Sequence, residues 1–255
     1  MKRTLKLTVG LAVCISGLLA LAALITPLFA QQASQAVLIA QKIAASGATW
    51  TVVHETDCSC AAGTTSCPCT IPSTTAGNAI VVMIEMGYGL VGGPGTVTGV
   101  SDGTAYTHCA NCRTINVPAG VGVDAYFRTT NAGGITTVTA TGSTNWNTYG
   151  ALFIYEVNKS SGTISEDADN GVSNGPSVFT GPTLTIGAGP DIVFQVFNSG
   201  ASISTPYITS PYVLNSNLAY EPIGAGAAYA LAQTSYAQPT WTAGGNNGAA
   251  AIAFK

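Results

Sequence analysis

Ile80-Val81-Val82-Met83-Ile84, Ala151-Leu152-Phe153-Ile154-Tyr155 and Ile192-Val193-Phe194-Gln195-Val196-Phe197 decide how this chain folds. Each is a short run of β-branched, aromatic and aliphatic residues, apolar on both faces of an extended chain. Such runs read as central strands with both faces buried. Gly, Pro, Asn and Ser bound them, and no stretch after Ala48 shows helical spacing of apolar residues. Working outward, further strands are expected at Thr49–His54, Ala79–Met86, Thr96–Val100, Ala105–Ile115, Val121–Thr129, Ile135–Thr141 and Tyr149–Val157. The C-terminal half adds Ile164–Asp169, Thr183–Ile186, Asp191–Asn198, Tyr212–Leu214, Leu218–Pro222, Ala227–Ala232 and Ala249–Phe254. In Thr136–Thr141, threonines alternate with small apolar residues, the pattern of a half-solvated sheet. The fold class expected is all-β: an antiparallel β-sandwich of jelly-roll type over residues 48–255. Two smaller sandwiches dividing near Ser160–Gly181 are the second choice, and no repeat of fixed period is visible.

Composition narrows the function. Only 7% of the 255 residues are charged and 47% are hydrophobic, with thirty glycines, against about 25% charged in an average domain. Disorder requires low hydrophobicity with high net charge, and a coiled coil requires Glu/Lys-rich heptads; neither pattern exists. Eight Lys and Arg in all exclude nucleic-acid binding by a basic face. Three of those eight, Lys2, Arg3 and Lys6, precede an apolar run from Leu7 to Ala30. That order predicts a hydrophobic helix acting as a secretory signal peptide over residues 1–30. An uncleaved membrane anchor is the alternative, since the run is long enough to span a bilayer; a lipoprotein box at Leu11-Ala12-Val13-Cys14 is weaker. Residues 31–47 read as a short helix or tether. All these readings place the domain outside the cell or at its surface, touching a membrane only through an uncleaved N-terminus. Past residue 30, five bases against eleven acids leave a net charge of −6, which disfavours anionic partners.

Trp-Thr-Val-Val (50–53), Thr-Ala-Gly-Asn-Ala-Ile-Val-Val (75–82), Ser-Asp-Gly-Thr-Ala-Tyr (101–106), Ile-Tyr-Glu-Val (154–157), Pro-Asp-Ile-Val (190–193) and Ala-Ile-Ala-Phe-Lys (251–255) form a recurring set of signposts. In these the chain resembles uncharacterised secreted bacterial proteins of jelly-roll type over most of residues 48–255. The resemblance implies an exported β-sandwich and no particular reaction.

Six cysteines remain after Cys14, as Cys58-x-Cys60, Cys67-x-Cys69 and Cys109-x-x-Cys112. An even number in an exported chain predicts disulfides. Of 15 pairings, a bridge within Cys58-Ser59-Cys60 is strained, pairing between the two C-x-C units is easier, and Cys109–Cys112 can close a tight loop. The competing reading is structural zinc on the thiolates, completed by His54 or His108. A redox role for Cys109–Cys112 would want a helix N-terminus, which the surroundings lack.

Other candidates are thinner. Gly171-Val172-Ser173-Asn174-Gly175 matches a nucleophile elbow but has no helix after it and both histidines upstream, so it reads as a loop. Glu85 and Glu156, inside apolar runs, could form a glycosidase pair about 5–10 Å apart; buried partners to Arg113 or Arg128 are the plainer reading, and Asp124 belongs to the same pool. Asp167, Asp169 and Asn170, within Glu166–Gly171, offer oxygen ligands for calcium but lack the terminal Glu of an EF-hand. Trp146, Tyr149 and Trp241, with Tyr88 and Tyr236, are candidates for stacking on sugar rings. Asn158-Lys159-Ser160 is formally a glycosylation acceptor. No cofactor is expected beyond a structural calcium or zinc. The expected function is noncatalytic: exported binding or building, with a glycan, a matrix or like subunits as partner. A secreted glycan-active enzyme using paired carboxylates and a filament subunit are the alternatives.

Overall fold

Strand formers set between turn residues give seventeen strands in the computed structural model of the protein, which describes residues 48–86, 95–116, 120–146, 150–175, 178–199, 207–215, 224–242 and 247–255. The expected leader (1–30), tether (31–47), Tyr88, Tyr149 and the strand at Leu218–Pro222 lie outside these. In chain order the strands are β1 (Trp50–Ser59), β2 (Ser66–Thr70), β3 (Ala79–Met86), β4 (Val97–Ser101), β5 (Thr107–His108), β6 (Thr114–Asn116), β7 (Val121–Arg128), β8 (Thr137–Gly142) and β9 (Ala151–Lys159). They continue as β10 (Glu166–Gly175), β11 (Val178–Thr180), β12 (Asp191–Ser199), β13 (Tyr207–Ile208), β14 (Val213–Leu214), β15 (Ala225–Gln233), β16 (Thr240–Thr242) and β17 (Asn247–Phe254). Among the described residues there is no helix, and every strand pair is antiparallel.

The strands form four sheets. A first inner sheet runs β1-β9-β3-β7-β5, with β6 also on β7, and a second runs β10-β17-β12-β15-β14. Two outer sheets run β2-β8-β4 and β11-β16-β13. Alternation of side chains assigns each face. Val81, Met83, Phe153 and Tyr155 from the first inner sheet share one core with Phe194, Val196, Ile252 and Phe254 from the second. Their neighbours Ile80, Val82, Ile84, Leu152 and Ile154 turn the other way, onto Cys67, Cys69, Val138 and Val100 of the first outer sheet. Val193, Phe197, Ala249 and Ala253 likewise face Phe179, Ile208 and Trp241 of the second outer sheet. Both inner sheets are therefore covered on both faces, which is why their strands read as unbroken apolar runs. Where one face meets water the alternation returns: in β8, Val138 and Ala140 are buried while Thr137 and Thr141 are exposed.

The strand order repeats. With β5 and β6 sharing one edge of β7, the order of β1 to β9 over two sheets is the order of β10 to β17 over the other two. Asn198 of β12 reaches between the inner sheets to donate to Glu85 of β3 (2.8 Å).

Two expected strands change, and stretches not expected as strands are strands, Ser66–Thr70 and Gly171–Gly175 among them. Ala105–Ile115 splits into β5 and β6, because Cys109–Cys112 close a turn between them. Thr183–Ile186 is not a strand; Leu184 and Ile186 pack on the second outer core without a ladder partner. Ser66–Thr70 is a strand despite Pro68, which an edge position tolerates. Gly171–Gly175 is not a loop but part of β10, pairing with the small residues of β17. Gly171 sits there because a Cβ would come within 2.9 Å of the Asn111 carbonyl.

Candidate functional site

The chain has two histidines, and a buried carboxylate holds each. His54 on β1 lies in register with Glu156 on β9, and its Nδ1 is 2.7 Å from Glu156 Oε2. Glu156 Oε1 accepts from the Thr75 backbone N–H (2.7 Å) and from Asn78 Nδ2 (2.6 Å). Asn78 is held in turn: its Oδ1 accepts from Asn158 Nδ2, and its carbonyl from Asn131 Nδ2. Thr74 Oγ1 donates to Asn131 Oδ1. The turn can close because Gly77 takes φ +88°, a left-handed conformation that suits glycine. Glu156 thus fastens residues 74–78 to the sheet. His54, Thr56, Ile71, Pro72, Thr74, Ile80, Ile154 and Glu156 line a small recess beside it. The imidazole is 39% exposed, and the carboxylate fixes Nδ1 so that Nε2 is left for an outside group.

The second histidine belongs to a tighter cluster. His108 Nε2 lies 2.8 Å from Oδ1 of the fully buried Asp124. Arg113 donates through Nε to Asp124 Oδ2 (2.8 Å) and through Nη2 to the Val97 carbonyl. A third lock joins Arg128 Nη1 to both oxygens of Asp102 (3.1 and 2.9 Å). Asp102 also accepts from Tyr106 Oη and the Thr104 N–H. Thr75, Asn78, Asp102, Thr104, Tyr106 and Glu156, from the 75–82, 101–106 and 154–157 signposts, are therefore engaged in fastening turns.

Glu85 and Glu156 do not form a pair. Glu85 faces the core between the inner sheets and Glu156 faces the first outer sheet. Their register partners, Ala151 for Glu85 and Ile80 for Glu156, set them five residues apart along paired strands, roughly 17 Å at about 3.3 Å per residue. Burial pushes the Glu85 carboxyl well above its ordinary range, and the Asn198 hydrogen bond only partly offsets this.

The calcium candidates also diverge. Asp167 meets the Lys255 ammonium (2.6 Å) and the Gly187 N–H. Asp169 accepts from the Asn111 backbone and side chain (both 2.8 Å), and Asn170 donates to the Thr183 carbonyl. Each is spent on a different loop, so the three do not share a coordination shell. Neither Trp146 nor Trp241 is free to stack on a sugar. Trp241 is fully buried, stacked on Phe197 at 5.0 Å, and Trp146 is buried with its Nε1 donating to the Thr65 carbonyl.

The six cysteines form Cys58–Cys69, Cys60–Cys67 and Cys109–Cys112. The first two cross-link the two C-x-C units, which leaves no thiolate set for zinc. Cys109 and Cys112 lie on a turn, both sulfurs buried, with Cys109 Sγ 3.2 Å from Asp169. Sequence reasoning brought in His54 and His108 only as zinc ligands. What it missed is the buried carboxylate beside each: Glu156 stands in register with His54 across β1 and β9, strands far apart in the chain, and His108, paired with Tyr126, reaches Asp124 two residues along β7. No family model, no curated protein and no solved structure matches this chain.

Proposed function

We propose that this protein is an exported, noncatalytic β-sandwich of jelly-roll type, acting at the cell surface or outside it in binding or building. Glycans or an extracellular matrix are its ligand class. The kinship with uncharacterised secreted bacterial proteins and the basic-then-apolar N-terminus belong to the same reading. The observation that carries it is how the signpost residues are used: Glu156, Asn78 and Asp102, the last held by Arg128, fasten turns rather than converge on a reacting centre. Three disulfides favour the oxidising side of a membrane. The paired-carboxylate enzyme is not supported, because Glu85 and Glu156 stand on opposite faces. A filament subunit is the second reading. Its motive is that, among the described residues, β1 and β10 end their sheets with a neighbour on one side only, the geometry for adding a strand from another copy. A glycan array run with size-exclusion chromatography tests both. Saturable binding to a defined glycan class by a monomer supports the first, ordered oligomers without glycan binding support the second, and turnover of an arrayed glycan overturns both.

A further inference from the structure

β1 places Glu55 and Asp57 two residues apart, on one face of the first inner sheet. In register they stand beside Tyr155 and Phe153, both buried in the core shared by the inner sheets. The two carboxyls therefore look into the space between those sheets from its β1 edge, where β15 of the second inner sheet passes. Both are part-buried. Burial raises both carboxyls above their ordinary range, and the charge of Asp57 raises Glu55 further.

No described cation answers them. Arg113 is held by Asp124, Arg128 by Asp102 and Lys255 by Asp167. Lys159 lies over the Trp50 ring, 5.3 Å from its centroid, and donates to the Thr163 carbonyl. Two neighbouring carboxylates without a counter-charge are costly in a half-buried edge. The tyrosines point the same way. Tyr155 is completely buried, the Asn215 amide lies beside its hydroxyl, and no acceptor takes the hydroxyl's proton. That hydroxyl feels the charges of both Glu55 and Asp57, and the Tyr229 phenol feels Glu55. The donor set is all oxygen, two carboxylates and two phenols, with no nitrogen or sulfur. Such a set suits a hard cation rather than zinc or copper.

We propose that Glu55 and Asp57, with the hydroxyls of Tyr155 and Tyr229, form a calcium site at the β1 edge. The ion supplies the positive charge the described residues do not, and water completes its shell. The flanking tyrosines make the site directly readable, because they pass excitation to bound terbium, a calcium surrogate. Titrating the intact, disulfide-bonded protein with Tb³⁺ under tyrosine excitation should give saturable emission that Ca²⁺ displaces. The variant Glu55→Gln/Asp57→Asn should lose affinity by about tenfold or more, while Asp169→Asn should not. Ca²⁺ should also raise the melting temperature of the parent and leave the double variant unmoved. Equal emission from parent and double variant overturns the site, as does an absence of displaceable emission from a folded parent. If circular dichroism finds the double variant unfolded, Tyr229→Phe serves instead: weaker Tb³⁺ binding supports the site, and unchanged binding overturns it.

Discussion

Buried acids show best how single residues set the behaviour of this molecule. Glu85 and Glu156 are both nearly inaccessible, yet their surroundings differ in kind. Glu156 receives donors from His54, Thr75 and Asn78, so Glu156→Gln removes the carboxylate charge from all three bonds and either turns an amide N–H toward a donor or forces His54 into its other tautomer. We expect a loss of about 1–3 kcal/mol in chemical denaturation. Glu85 has one side-chain donor, Asn198, and burial keeps it protonated beyond its usual range. Glu85→Gln replaces one neutral group by another and should cost less than about 1 kcal/mol, which the same measurement checks. Asp191 is a third case. It is fully buried next to Asp167, and burial foremost, then the Asp167 charge, pushes its carboxyl up to about 7. The folded state then holds a proton that the unfolded chain has released above 3.8. Stability should therefore fall as pH rises from 3.8 to about 7. Asp167 does not cancel this. Burial opposes its ionisation, but the Gly187 N–H and Lys255 lower it overall, so its contribution is lost only in more acid solution. Melting curves across this range should show the decline, and Asp191→Asn should flatten it. An unchanged slope in that variant would count against the assignment. None of these environments was legible in the sequence, where Glu85 and Glu156 look alike.

Among the elements, apolar runs were the legible part. Ala79–Met86 was readable to the residue, since its apolar run is bounded by Asn78 and Gly87. Short outer strands were not: Thr240–Thr242 has three residues and no periodicity to read, and β2 is five residues with Pro68 at its centre. The two bridges between β1 and β2 hold such a weak element in place. Cys58–Cys69 and Cys60–Cys67 close short loops of 11 and 7 residues. Replacing either pair by alanines should cost about 2–4 kcal/mol, and differential scanning fluorimetry would read the loss. The bridges tie the first inner sheet to the first outer sheet, so their removal should raise hydrogen exchange in β2 before β3.

At the scale of the molecule, the shared core decides how the two runs of strands behave. Phe194 packs beside Tyr155 at 5.0 Å between ring centroids, one ring from each inner sheet. Phe194→Ala should cost about 3–5 kcal/mol and destabilise both runs together. Calorimetry should show one transition for parent and variant; two separated transitions would mean the runs melt independently. The repeated strand order stayed hidden in the sequence because β-forming residues interchange freely: Glu85 on β3 faces Asn198 on β12, and nothing in their identities links them. The same order has a kinetic consequence. Trp50 pairs with Lys159, and Glu166 with Phe254, so the strand that opens each run waits for the strand that closes it. Local contacts cannot nucleate such a structure, and folding should take milliseconds to seconds, as in other proteins dominated by distant pairings. Until β9 emerges, β1 remains an open template, and the acidic side chains of Glu55 and Asp57 discourage other strands from pairing there first.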